Sequence, residues 1–120
     1  TIANDATARD AMTGGPWVRG KSFDSACPLG PWITVDPTLD VTNLAIRSYL
    51  NGEIAQDSTT AHMIWTPFEL VSYVSHQMTL LPGDVIATGA PTGAVLVDAG
   101  DRVEIEIEGI GRLTNPVVRA

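Results

Sequence analysis

Cysteine, lysine, aromatic residues and long apolar runs are all scarce in this chain of 120 residues, and each scarcity removes a class of function. The single cysteine, Cys27, cannot form an internal disulfide, which fits a reducing compartment and points to the cytoplasm. One lysine, Lys21, stands in a chain whose seven basic residues face fourteen acids, for a formal charge of −7. Nucleic-acid binding takes its main free energy from clustered Lys and Arg, so neither DNA nor RNA is an expected partner. No apolar run approaches the roughly 18 residues that cross a bilayer, and no basic-then-apolar leader opens the chain, so membrane and secretory readings are set aside. Charged residues at 18% against 44% hydrophobic ones exclude a charge-rich disordered chain. The length suits one domain, able to bury roughly two-thirds of its unfolded surface.

What is present is a series of short elements and many turn formers. Thr1-Ile2-Ala3-Asn4-Asp5 reads like the end of a strand rather than a solvated tail. Chain ends are normally polar and frayed, so residues 1–120 are expected to be a single domain that is a fragment lacking upstream strands. Thr7, with Asp10 three residues later, predicts a helix start, stopped about two turns on by Gly14-Gly15-Pro16. From Gly14 to Pro37 the glycines and prolines leave no room for a helix of ordinary length. Long shaped loops of this kind are usually functional. Leu44 to Leu50 and Glu53 to Thr60 flank Asn51-Gly52, the strongest short hairpin signal. Thr66-Pro67 opens the one main helix, with Phe68, Val71, Val74 and Met78 as its apolar stripe and its end before Pro82-Gly83. Val85-Ile86-Ala87 predicts a short strand, and residues 89–93 a turn. Val103, Ile105 and Ile107 alternate with Glu104, Glu106 and Glu108 in a final strand pair turned at Gly109, the glutamates forming a solvated or interface face. The fold class is α+β, rich in strands.

Several constellations could carry chemistry. Gly15 to Ser22 satisfies the letter of the phosphate-loop pattern GxxxxGK[ST]. That loop needs a preceding buried strand and a following helix, and Pro28 and Pro31 rule out a helix of normal length after Lys21. Lys21 itself, placed between Gly20 and Ser22 in a chain with no other lysine, is either a solvated amine or a charge with a task. Asp5 and Arg9 are four apart, which suits two groups facing one ligand or an ordinary ion pair within a helix. A lone Asp makes an inadequate site for Mg²⁺, which wants six oxygens. His62 and His76 have no acid or nucleophile at a telling spacing, Cys27 has no nearby His, and no GxSxG elbow occurs, so covalent catalysis lacks support.

Taken in order, Asn4-Asp5-Ala6-Thr7-Ala8-Arg9-Asp10, Trp17, Gly20-Lys21-Ser22-Phe23-Asp24 and Cys27-Pro28-Leu29-Gly30-Pro31-Trp32 resemble the fumarylacetoacetate hydrolase family. So do Asn51-Gly52, Gln56, Met63-Ile64, Pro82-Gly83-Asp84-Val85-Ile86, Thr88-Gly89, Pro91, Gly93 and Glu106-Ile107-Glu108-Gly109. The resemblance implies a mixed β-roll with layered sheets, usually homodimeric, that binds Mg²⁺, Mn²⁺ or Ca²⁺ and acts on small 2-oxo or 1,3-dicarbonyl acids. It implies C–C hydrolysis of an acylpyruvate-like acid as the first expectation, with isomerisation or decarboxylation of a related oxo-dicarboxylate, or a noncatalytic partner domain, as alternatives. All three reactions grow negative charge on a carbonyl or enolate oxygen. Residue by residue, the resemblance makes Asp5 a metal carboxylate, Lys21 the cation beside the metal, and Arg9 a group that engages the acidic substrate or locks Asp5. It places Ser25 near the metal and Gly89 against the ligand, where a missing Cβ permits close approach.

Two positions depart from that pattern. Met12 stands where the family usually has Gln, and Ala90 where it usually has Thr, so both substrate-binding positions lose a polar contact and the substrate they imply shifts. The family's paired upstream glutamates and its Glu–His lid have no counterpart here. Residues 1–120 alone are therefore expected to be inactive, and the remaining ligands to come from an N-terminal half on the same or another polypeptide.

Overall fold

The computed structural model describes residues 1–119. Asn51 and Gly52 carry φ of 54° and 89°, the paired positive values that a tight two-residue hairpin needs. They turn β3 (Ala45–Leu50) into β4 (Glu53–Thr59). The register runs from Leu50 opposite Glu53 to Ala45 opposite Thr59, with a bulge where Ser48 faces Gln56 but Tyr49 faces Ile54. On the other side of β3 lies β5 (Arg102–Ile107), which returns through Glu108–Ile110 as β6 (Gly111–Pro116). The order β4-β3-β5-β6 makes one fully antiparallel sheet. A second, two-stranded sheet pairs β1 (Ile2–Ala3) with β2 (Leu29–Gly30) and packs against β5 and β6.

Where these layers meet, Ile2, Ala26, Leu44 and Leu113 form the buried apolar core. Ile2 is fully covered, so the opening residues do form a strand, as their apolar character predicts. The helices are α1 (Arg9–Met12), α2 (Val18–Lys21) and α3 (Pro67–Gln77), with a 3₁₀ turn at Thr60–His62 before α3. The first is one turn rather than two. Thr7 does not cap it, because its hydroxyl donates back to the Asp5 carbonyl (3.4 Å) and Ala8 becomes the helix boundary. Thr66 and Glu69 close a reciprocal capping box at the start of α3, Thr66 Oγ1 accepting from the Glu69 N–H (3.3 Å) and Glu69 Oε2 from the Thr66 N–H (2.7 Å).

Three expectations are corrected here. Val85-Ile86-Ala87 joins no ladder among the described residues, and the order β4-β3-β5-β6 is complete without it. The stripe of α3 does not enter the core: Phe68, Val71 and Met78 are exposed, and α3 buries no residue. Glu104 is not solvated but 7% exposed, drawn in by Arg102 (3.2 Å) and Arg112 (3.4 Å) from its own and the next strand. Among the described residues no helix is long and apolar enough to cross a membrane. The class is α+β, layered sheets with one main helix.

Candidate functional site

Asp5 and Lys21 meet because the segments that carry them run side by side. The Asn4 N–H donates to the Pro28 carbonyl, that of Ala6 to Ala26, and that of Ala8 to Gly20, each at 3.0 Å. The one-turn α2 then ends at Lys21, whose Nζ donates to Asp5 Oδ2 at 2.6 Å. The lysine side chain is 31% exposed and the aspartate 53%, so the pair opens to solvent on the carboxylate side. Gly20 sets this approach. A Cβ there would lie 2.3 Å from Met12 Cγ and 2.7 Å from the Ala8 carbonyl, so only glycine lets α1 and α2 lie this close. An ammonium fixed beside a half-open carboxylate can hold an anionic oxygen, while the free carboxylate oxygen can serve as one ligand to a cation.

The other candidates are distributed around this pair. Arg9 opens α1, is exposed, and makes no ion pair among the described residues, so the Asp5–Arg9 pairing is not formed and Asp5 faces Lys21 instead. Ser25 holds φ at 62°, a left-handed conformation unusual for a residue with a Cβ, and its hydroxyl donates to the Asp24 carbonyl at 2.6 Å. Met12 is half-buried, its Cγ and Sδ against Gly20. Gly89 (φ 100°) and Ala90 sit in an exposed turn, and among the described residues no hydrogen bond joins them to Asp5 or Lys21. That turn is instead tied to β4, Gln56 Nε2 donating to the Pro91 carbonyl at 2.7 Å. Spacing does not mark Gln56 as the tether, because the contact spans 35 residues and forms only once β4 is in register. The same holds for Asn4, which donates to Asn115 Oδ1 across 111 positions (3.2 Å) and pins the end of β1 to β6.

Gly15 to Ser22 make no phosphate cradle, since α1 rather than a strand precedes them and α2 is a single turn. Each histidine bonds to a residue four positions back, His62 Nδ1 lying 3.3 Å from Ser58 Oγ and His76 Nδ1 donating to the Ser72 carbonyl at 2.7 Å. A cavity of about 380 Å³ on the charged sheet face, lined by Ala45, Arg47, Glu106 and Glu108, shares no residue with the Asp5–Lys21 pair. Its charges answer one another. The Tyr49 hydroxyl donates to Glu106 Oε2 (2.9 Å), Arg112 Nη2 donates to the same oxygen (2.7 Å), and the guanidinium stands 4.6 Å over the Tyr49 ring. The Tyr49 hydrogen bond, then Arg112, holds the Glu106 carboxyl below the usual carboxylate range, and the same bond pushes the Tyr49 phenol up.

For a divalent ion the donor set is partial. Asp5 offers one carboxylate, and no group of three or more His, Cys, Asp or Glu that could hold a metal occurs among the described residues. These residues fit one ligand position of a Mg²⁺, Mn²⁺ or Ca²⁺ site and do not fit a whole one.

The family model described as the fumarylacetoacetate hydrolase C-terminal domain matches residues 1–118. The chain is 46% identical over 121 residues to the 4-hydroxyphenylacetate degradation bifunctional isomerase/decarboxylase of Salmonella dublin, covering 98% of this chain and 28% of that protein. A mitochondrial oxaloacetate tautomerase of Homo sapiens is 43% identical over 129 residues, covering 98% of this chain and 41% of its own. The crystal structure of 5-carboxymethyl-2-hydroxymuconate delta-isomerase from Mycobacterium smegmatis superposes with a TM-score of 0.93 at 48% identity, over the whole of this chain and 47% of that one. The chain spans about half the length of the first curated relatives it matches. With its layered sheets shared with such structures and residues 1–118 matched throughout, this chain belongs to the fumarylacetoacetate hydrolase family, to its C-terminal domain.

Proposed function

We propose that this chain supplies the oxyanion-holding part of an enzyme acting on small 2-oxo or 1,3-dicarbonyl acids. The observation that carries the reading is the 2.6 Å contact between Lys21 and Asp5, at the strand end where the family pattern puts a metal carboxylate and its cation. Lys21 holds the substrate's carboxylate or its carbonyl oxygen, and as electrons move onto that oxygen the ammonium stabilises the charge without reorganising. Asp5 orients the amine until substrate arrives. Arg9, exposed at the head of α1, pairs with the acidic end of the substrate, while Ser25 and the Gly89-Ala90 turn line the site. With Met12 turned onto Gly20 and Ala90 lacking a hydroxyl, that lining favours a less polar substrate.

Asp5 would be one ligand to a divalent ion, Mg²⁺, Mn²⁺ or Ca²⁺, completed by carboxylates from outside residues 1–120. Such an ion polarises a carbonyl as a Lewis acid. The half-length match to relatives supports a second half, on the same polypeptide or a partner, and a homodimer is the proposed assembly.

Among the reactions, C–C hydrolysis of an acylpyruvate-like acid is the first expectation from the sequence. The relatives at 43–48% identity, an isomerase/decarboxylase, a tautomerase and an isomerase by name, favour a second reading in which loss of a proton or of CO₂ from the substrate forms the enolate and a proton then returns to it, with no water adding to a carbonyl to break a C–C bond. One assay separates them: the full-length protein with acylpyruvates, oxaloacetate and a hydroxydienedioate, with and without Mg²⁺ or Mn²⁺. Lys21→Ala is expected to lower turnover on the order of a hundredfold with an unchanged melting temperature. Full turnover in that variant removes Lys21 from the site. No metal affinity and no turnover in the full-length protein favour a noncatalytic scaffold.

A further inference from the structure

We infer that Gln56 is a positioning residue that fixes the Gly89–Gly93 turn for substrate, an inference that rests on the proposed role of that turn. Between Gln77 and Arg102 the chain has no helix or strand. Among the described residues, the only hydrogen bonds that reach residues 85–97 come from Gln56, its Nε2 donating to the carbonyls of Pro91 (2.7 Å) and Thr92 (3.3 Å). The tether is itself held. Ser48, 9% exposed on β3, donates its hydroxyl to Gln56 Oε1 at 2.7 Å. Because a hydroxyl donates on one side and two carbonyls can only accept on the other, the amide has one orientation that satisfies every partner.

The backbone is shaped for this contact. The bulge that leaves Ala55 unpaired brings its carbonyl to the turn, where a Cβ on Gly93 would lie 3.2 Å away. Gly93 holds φ at 98°, a conformation that favours glycine, and the tight approach to the Ala55 carbonyl adds to that preference. Pro91 has no N–H with which to join a ladder, so its carbonyl is its one backbone means of attachment. The chain of contacts therefore runs from buried Ser48 on β3 through Gln56 to Pro91 and Thr92, beside Gly89.

The test uses the full-length protein with Gln56→Leu and Gln56→Glu. The second keeps the acceptor for Ser48 but loses the donor, so it retains the sheet while releasing the turn. Cleavage by a nonspecific protease within residues 86–97 is expected to quicken about tenfold in both, because the two carbonyl contacts from Gln56 are what ties this segment to β4, with β3 and β4 intact. With the acids turned over by the native protein, KM is expected to rise by a similar factor while kcat changes little, the pattern of lost uniform binding. Unchanged cleavage in Gln56→Glu overturns the tether. Faster cleavage with an unmoved KM overturns the positioning role. If the native protein turns over none of the acids, the oxo-acid reading and the substrate half of this inference both fail, and cleavage still decides the tether.

Discussion

Gly20 shows how much of the site depends on one absent side chain. Its carbonyl accepts from the Ala8 N–H and its Cα faces Met12, so α1 and α2 meet across a gap with no space for a methyl group. We expect Gly20→Ala to cost about 1–3 kcal/mol, measured by urea unfolding, as overpacking does. Truncating the flexible partner in Gly20→Ala/Met12→Ala should recover only part of that loss, because the Ala8 carbonyl at 2.7 Å is backbone and cannot swing away. Full recovery in the double variant would show that Met12 alone sets the spacing. At this scale the sequence marks Lys21 as unusual but not what it touches. Sixteen positions separate it from Asp5, and the two converge only through the hydrogen bonds that lay residues 4–8 beside residues 20–28. Arg9 illustrates the converse, since a spacing of four suits an ion pair with Asp5 that the one-turn helix does not make.

The strands of the four-stranded sheet carry a second lesson. Alternation along β5 puts Glu104 and Glu106 on one face, and that much is legible from a period of two. What covers the face is decided by the neighbouring strands, which bring Arg112 and Tyr49 across from β6 and β3. Glu106 is held below the usual carboxylate range, first by the Tyr49 hydroxyl and then by Arg112. Its folded form therefore releases its proton more readily than the unfolded chain does. The stability this contributes is present above the free glutamate value of about 4.3 and is lost as pH falls through the lower folded value. Urea midpoints should drop on acidification below about pH 4.3, and Glu106→Gln should flatten that part of the profile. An identical slope in the variant would mean that other lowered carboxyls, such as Glu69 and Asp101, account for the whole dependence. The hairpin at Asn51-Gly52 and the capping box at Thr66 are legible because each depends on neighbours within four residues.

Viewed whole, the chain covers too little of itself. It exposes 8716 Å², whereas a monomer of 12.7 kDa exposes about 6,200 Å². The excess is rich in apolar side chains: Trp17 is 73% exposed, Ile64 90% and Phe68 69%, beside the uncovered stripe of α3. Surface of that kind marks an interface rather than a solvated exterior. Residues 1–120 expressed alone should bind a hydrophobic dye such as ANS and self-associate in sedimentation, and the full-length protein should do neither to the same degree. Equal dye binding by both would show that the proposed second half does not cover these residues.

By itself the sequence determined what local chemistry determines: the α+β class, the hairpin turn, the capped helix, a composition unsuited to nucleic acid, and a family pattern whose Asp5 and Lys21 stand in fixed order. Tertiary structure alone decided that those two groups touch, that Met12 turns onto Gly20, that Glu104 is buried, and that Gln56 holds the Gly89 turn. The division has one physical cause. Turns and caps are settled by backbone dihedrals and hydrogen bonds a few residues apart, whereas ion pairs, burial and tethers depend on which distant segments pack together, a choice made by the whole chain at once.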